Sequence, residues 1–244
     1  MAVYIAVHKE VPLPTREGYI PLQVGAGLHT PFCAVRDDTG VHISRKNPHY
    51  CELTGLFWIW QNTRDDYKGL VHYRRYFTHG GHLLREAEIH KFLTDYDIIL
   101  PRREPLRETA WQEFCLHSGH ERDLMLTREA VGLVSPTMLP AFDRVMVGRG
   151  LHLYNMLIAP REGFDAYCRW LFAVLTQVEQ RVDMTGYTTY QRRLYGFLGE
   201  RLLNVWVAHY GLRVKALSVK NTEQTLAQEV RLWMRRQRNR LSRG

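Results

Sequence analysis

Two continuous apolar runs, residues 3–7 and 98–100, constrain the fold of this chain most. Both are too short for a buried helix, and neither alternates, so each reads as a strand covered on both faces. A third short stretch, 67–71, reads as a strand and leads into His72-Tyr73-Arg74-Arg75-Tyr76-Phe77. Between the first and third lie Leu53, Leu56, Phe57 and Trp60 at helical spacing. Asn47-Pro48 supplies a cap and a first-turn proline, predicting a helix from there to about Asn62. Strand, helix, strand predicts a βαβ unit and an α/β fold on a mostly parallel sheet.

Helices are expected over 83–93, across most of 108–146, and over 164–182 and 191–210, with a last strand at 153–159. Pro12, Pro14 and Pro21 suggest a loop, and Arg36-Asp37-Asp38-Thr39-Gly40 a turn. The expected organisation is one domain over 1–228, helical from about 160, and a basic amphipathic tail over 229–244.

The 244 residues suffice for a sizeable core. No apolar run approaches the roughly 20 residues of a membrane span. The first residues read as a strand rather than a leader. Cys33, Cys51, Cys115 and Cys168 show no paired spacing, so reduced thiols are expected, with Cys51 and Cys168 as core packing. Net charge is +8, but six arginines and no acid lie from Arg231 onward. The rest is nearly neutral, which argues against a nucleic-acid footprint over the whole protein. The tail mixes those arginines with Leu232, Trp233 and Met234, a composition suited to anionic head groups at a membrane surface.

His72, Arg74 and Arg75 cluster where a strand stops. Charges leaving water need partners, and paired guanidinium forks suit phosphate. Ligands of open α/β sheets sit at the carboxyl ends of strands, which is where this segment falls. The alternative is an arginine pair bridging nearby acids at a sheet edge.

Other motifs are weaker. Val24-Gly25-Ala26-Gly27 is too short for a phosphate loop or dinucleotide fingerprint. Asp95-Tyr96-Asp97 resembles a metal-binding pair, but it precedes its strand and so lies at the wrong end. His117, His120 and Asp123 have metal-like spacing without an obvious further ligand, or could line an acceptor site. Glu200 is a carboxylate in an apolar helix, suited to general-base work or to an ion pair with Arg193 or Arg201. Asp165 and Asp183 are weaker base candidates.

Residues 7–9, 19–26, 37–40, 50–55, 69–77, 97–101, 154–156, 167–172 and 196–202 together resemble the DUF4422 family. This family comprises glycosyltransferase-like proteins of bacterial capsule, exopolysaccharide and O-antigen synthesis. The resemblance implies a GT-A-like, Rossmann-type fold. It also implies transfer of a sugar, galactose-type in pyranose or furanose form, from a UDP-sugar to a lipid-linked glycan. On that basis His8, Lys9, Gly25, Asp37, Asp38, Asn47 and Tyr73 are expected at the donor. His72, Arg74 and Arg75 face its diphosphate, Glu200 is the base, and His117, His120, Asp123 and Asn155 line the acceptor. No organic cofactor and no dedicated metal site are expected, although Mn²⁺ or Mg²⁺ is compatible with such chemistry. The expected place of work is the cytoplasmic face of the plasma membrane. A non-catalytic glycan or anionic-lipid binding module is the alternative.

Overall fold

The computed structural model describes residues 1–241. β1 (Ala2–Val7), β2 (Tyr19–Gln23) and β3 (Val35–Arg36) precede α1 (Asn47–Tyr50) and α2 (Leu53–Asn62). β4 (Tyr67–His72), β5 (Arg75–His79) and β6 (His82–Leu83) lead to α3 (Glu86–Asp95), β7 (Ile98–Pro101) and β8 (Glu104–Pro105). A helical layer follows, α4 (Ala110–His117), α5 (Glu121–Val134) and α6 (Leu139–Val147). Then come β9 (Gly150–Leu151), β10 (Leu157–Pro160), α7 (Arg161–Glu179), α8 (Leu194–Tyr210), β11 (Val214–Asn221) and α9 (Leu226–Leu241).

The main sheet runs β3-β2-β1-β4-β10-β7-β11-β5-β6. It is mixed, which corrects the mostly parallel expectation. β1 is parallel to β2 and β4, and β7 to β11. β10 is antiparallel to both its neighbours, and β5 is antiparallel to β11, β4 and β6. The β4–β5 connection spans only Tyr73 and Arg74, and so short a link permits only an antiparallel pair.

The continuous apolar run of β1 is explained by its two faces. Tyr4 and Ala6 join a core packed under the helices, while Val3, Ile5 and Val7 join a second core with Tyr76, Phe77 and Ile89. Tyr76 and Phe77 are therefore core residues and not ligand platforms. Pro21 lies inside β2, not in a loop. β3 pairs only with Leu22 and Gln23, so the missing N–H of Pro21 leaves no ladder bond unmade.

The helix expected from Asn47 to Asn62 is broken at Cys51, whose φ is 52°. Asn47 has helical dihedrals rather than those of a cap, and its amide bonds across the break to Cys51 O (2.8 Å) and Thr54 Oγ1 (3.0 Å). The strand expected at 153–159 starts only at Leu157, because Tyr154 and Asn155 hold φ of 77° and 51°. The C-terminal part is not wholly helical, since β11 enters the sheet between β7 and β5. α9 starts at Leu226, ahead of the expected tail boundary. It is clamped to β8 by Arg236 on Glu104 (2.8 Å) and Asn239 on Pro105 O (3.0 Å). Residues 242–244 of that tail, Arg243 included, lie outside the described residues. Among the described residues no helix is long and apolar enough to cross a membrane.

Asp165 is a structural acid rather than a base. It lies 2.7 Å from the Nζ of Lys68, which is fully buried in β4. Removing one partner of a buried pair leaves an uncompensated charge. Asp165→Ala should lower stability by about 3 kcal/mol in urea unfolding, and adding Lys68→Met should restore most of it. Asp183 caps the Thr185 N–H at 2.8 Å.

Candidate active site

β1 and β4 are parallel neighbours, with Ala6 in register with His72, and they end together at the mouth of a cleft of about 690 Å³. His8, Asn47, His72, Tyr73, Arg74, Arg75, His117 and Glu200 all line it, so these eight expected residues converge. Arg74 and Arg75 sit at the β4–β5 corner. There the tight turn projects them beyond the sheet, while the flanking Val71, Tyr76 and Phe77 bury themselves in the core.

The two arginines differ. Arg74 bonds Glu223 at 3.2 Å, and Lys9 approaches the same carboxylate at 3.5 Å. Arg75 has no carboxylate partner among the described residues, and its guanidinium stacks 4.5 Å over the Tyr154 ring. The sheet-edge alternative therefore fits Arg74 in part and Arg75 not at all.

His72 Nε2 is buried without a hydrogen-bond partner, and Glu52 Oε1 stands 4.0 Å away. Burial holds the pKa of His72 below its usual value, against the pull of Glu52, so at neutral pH the ring is an uncharged donor or acceptor. Burial and the neighbouring Lys9 and Arg74 lower that of His8 as well. An unpartnered buried nitrogen at the end of a cleft is a place for a ligand atom.

Glu200 Oε1 accepts the Tyr154 N–H at 2.7 Å, and Oε2 lies 3.5 Å from Arg201. Burial pushes its pKa up to about 7, opposed by Arg201 and the Tyr154 N–H. Arg201 is also held by Glu113, so it is shared between two carboxylates. The positive φ of Tyr154 and Asn155 bends the chain back so that one residue meets Glu200 and the next meets Glu52. Asn155 Nδ2 donates to Glu52 Oε1 (2.7 Å) and Gly196 O (2.9 Å).

Several expected residues lie elsewhere. Asp37 is fully buried and accepts the N–H groups of Gly25 (2.9 Å) and Ala26 (3.0 Å), fixing a turn behind the cleft. Gly25 is obligatory there. Its φ is 70°, and a Cβ would sit 2.8 Å from Asn47 Oδ1. Asp38 bonds Arg36 at 3.0 Å. Asp123 is buried, caps α5 through the His120 N–H (2.8 Å) and accepts from the Tyr187 hydroxyl. His120 packs edge-on against Tyr187, away from the cleft. Asn155 is buried behind the wall, and Lys9 lies on the rim, 5.2 Å from the Tyr73 ring centre.

Asp97 is gripped by Arg213 at 2.9 Å, at the amino end of β7. Asp37 and Asp38 are likewise engaged, Asp37 by backbone N–H groups and Asp38 by Arg36. No group of three His, Cys, Asp or Glu among the described residues is arranged to hold an ion.

Sequence reasoning missed Glu52, Glu113, Tyr154, Tyr190, Arg193 and Phe197 as lining residues. Arg193, just ahead of α8, and Phe197, Glu200 and Arg201 within it fall on about one side of the helix start, so that side could have been recognised as facing a site. Cys51 also lines the cleft, and Arg193 Nε approaches its sulfur at 3.3 Å. It is therefore not simply core packing.

Fold and cleft together define an α/β protein that presents cations at the ends of its strands, facing a buried carboxylate on α8. Residues 2–211 match the family described as a domain of unknown function, DUF4422, and the chain belongs to that family. Among solved structures it is similar to the apo structure of WbbM, a bifunctional glycosyltransferase. The TM-score is 0.84 at 26% identity, over 91% of this chain and 45% of that one. This chain thus spans less than half of that protein. The comparison with curated proteins gives no match.

Proposed function

We propose that this chain is a glycosyltransferase. It moves a sugar, galactose-type in pyranose or furanose form, from a UDP-linked donor to a lipid-linked glycan of a bacterial surface polysaccharide. The observation that carries this reading is the shared cleft: Arg75, which has no carboxylate partner among the described residues, faces the same space as a buried carboxylate whose pKa is about 7. Membership of DUF4422 and the likeness to a bifunctional glycosyltransferase support it.

In this mechanism the donor lies across the ends of β1 and β4. His8, Lys9 and Tyr73 form the rim for base and ribose, with Asn47 as a polar contact. Asp37 and Gly25 shape the turn behind, and Asp38, His120 and Asp123 act only as scaffold. The diphosphate displaces Glu223 from Arg74 and engages Arg75 and the neutral His72. Glu200 takes the proton of the acceptor hydroxyl, whose oxygen bonds to the anomeric carbon as the carbon–phosphate oxygen bond breaks. The departing electron pair stays on the diphosphate, where the arginines stabilise it. His117 and Asn155 lie on the acceptor side, Asn155 by holding Glu52. The exposed face of α9, with Arg231, Arg235, Val230 and Met234, rests on an anionic membrane surface.

A sugar-nucleotide panel tests the donor assignment by thermal shift. A ligand at a hundredfold excess over its Kd stabilises the fold by about 2.7 kcal/mol, several degrees for a chain of this size. UDP and at least one UDP-sugar should produce that shift. If none does, the donor assignment is removed.

A further inference from the structure

A second cavity, of about 490 Å³, opens between β5, β11 and α9, on the other side of a wall it shares with the cleft. That wall is Arg75 and Tyr154, the residues common to the two linings among the described residues. Tyr154 also gives its N–H to Glu200, so whatever occupies the second cavity is one residue away from the proposed base.

The lining chemistry is distinctive. Asn221 and Gln224 supply amides, Arg75 and Arg236 supply guanidinium groups, and no carboxylate lines the cavity among the described residues. At the lip stands the indole of Trp233, 59% exposed although it belongs to a docked helix. An indole face beside amide and guanidinium donors suits a sugar ring, which offers an apolar C–H face and a rim of hydroxyls. The volume falls within the range of about 300–1,000 Å³ of small-ligand sites. The α9 wall is held in place, because Arg236 Nε donates to both oxygens of Glu104 (2.9 and 2.8 Å) and Asn239 bonds Pro105 O (3.0 Å). Both β11 and α9 lie beyond residue 211, outside the family-matched part of the chain. The wall of this cavity is thus built largely from a segment that the family match does not cover.

We propose that this second cavity is the subsite for the acceptor saccharide, and that α9 is the element that selects it. The assignment rests on the glycosyltransferase reading. Its occupant is the hexose-containing end of a glycan, stacked on Trp233 and bonded by Gln224 and Asn221. Its reacting hydroxyl passes the Arg75–Tyr154 partition to reach Glu200.

The test uses the full chain and lipid-free mono- and disaccharides of galactose, glucose, mannose, N-acetylglucosamine and rhamnose, with binding read by saturation-transfer NMR. At least one should bind the wild type and lose tenfold or more in affinity in both Trp233→Ala and Gln224→Ala. Trp233→Tyr, which keeps an aromatic face, should retain most of it. The thermal shift produced by UDP should be the same in all four proteins, since neither residue lines the donor cleft. The proposal is overturned if no saccharide binds, or if both alanine variants bind as the wild type does. It is equally overturned if Trp233→Ala weakens only attachment to vesicles of anionic lipid, which would make Trp233 a membrane contact. A wild type that takes up saccharide but shows no shift with any sugar nucleotide would leave this subsite standing and remove the donor reading.

Discussion

Glu200→Gln should lower kcat by two to four orders of magnitude and at the same time stabilise the fold above pH 7. The two effects have one cause. Burial raises the pKa of Glu200 from 4.5 to about 7, so the folded protein keeps a proton that the unfolded chain releases near pH 4.5. Stability contributed by that proton is full below pH 4.5 and is lost as pH climbs toward 7. By pH 8 the fold carries a buried carboxylate at a cost on the order of 3 kcal/mol. Glutamine preserves an acceptor for the Tyr154 N–H and never ionises, so its stability profile should be flat across that window. Denaturant titrations at pH 5 and pH 8 measure this directly. Wild-type kcat should rise through pH 7 as the base ionises, and the variant should lack that limb. Unaltered kcat in Glu200→Gln would transfer the role to Glu52, another carboxylate that lines the cleft.

What the sequence disclosed and what it concealed separate along physical lines. β1 and β7 were legible because a strand buried on both faces has a continuous apolar signature. The cluster His72, Arg74 and Arg75 was legible because charge at a strand end is costly without a reason. β11 was not legible. Lys215 and Lys220 interrupt it, and it is held by pairing with β7 and β5, partners more than a hundred residues away for β7 and further still for β5. β5 was hidden by its own aromatics, since Tyr76 and Phe77 look as suitable for a ligand as for a core. Asp37 and Asp123 show the limit for polar residues. Composition identifies a carboxylate, but only the fold reveals that backbone N–H groups have already claimed it. Tyr154 and Asn155 were unreadable as a kink, because nothing but tertiary contact holds such residues at positive φ.

Replacing Arg74 and Arg75 together by alanine should reduce kcat/KM for UDP-galactose by about 10³-fold or more, with the fold intact. Charge developing on a leaving diphosphate is stabilised most by cations fixed in place beforehand, and one such donor is worth about 10²–10³. The single variants should not be equal. Arg74 already shares Glu223 with Lys9, so part of its charge is spent and its loss frees Lys9 to compensate. Arg75 has no carboxylate partner among the described residues, and its loss also removes the stacking on Tyr154, whose N–H bonds Glu200. Arg75→Ala should therefore cost more than Arg74→Ala. Arg75→Lys should recover only part of the activity, because an ammonium keeps the charge but neither the planar fork nor the stack. Exposed pairs such as Arg74 with Glu223 contribute about 0–1 kcal/mol to stability, so the melting temperature should hardly move. Turnover that survives the double substitution would show that the diphosphate is held elsewhere. The β4–β5 corner would then be only a sheet edge that carries charge.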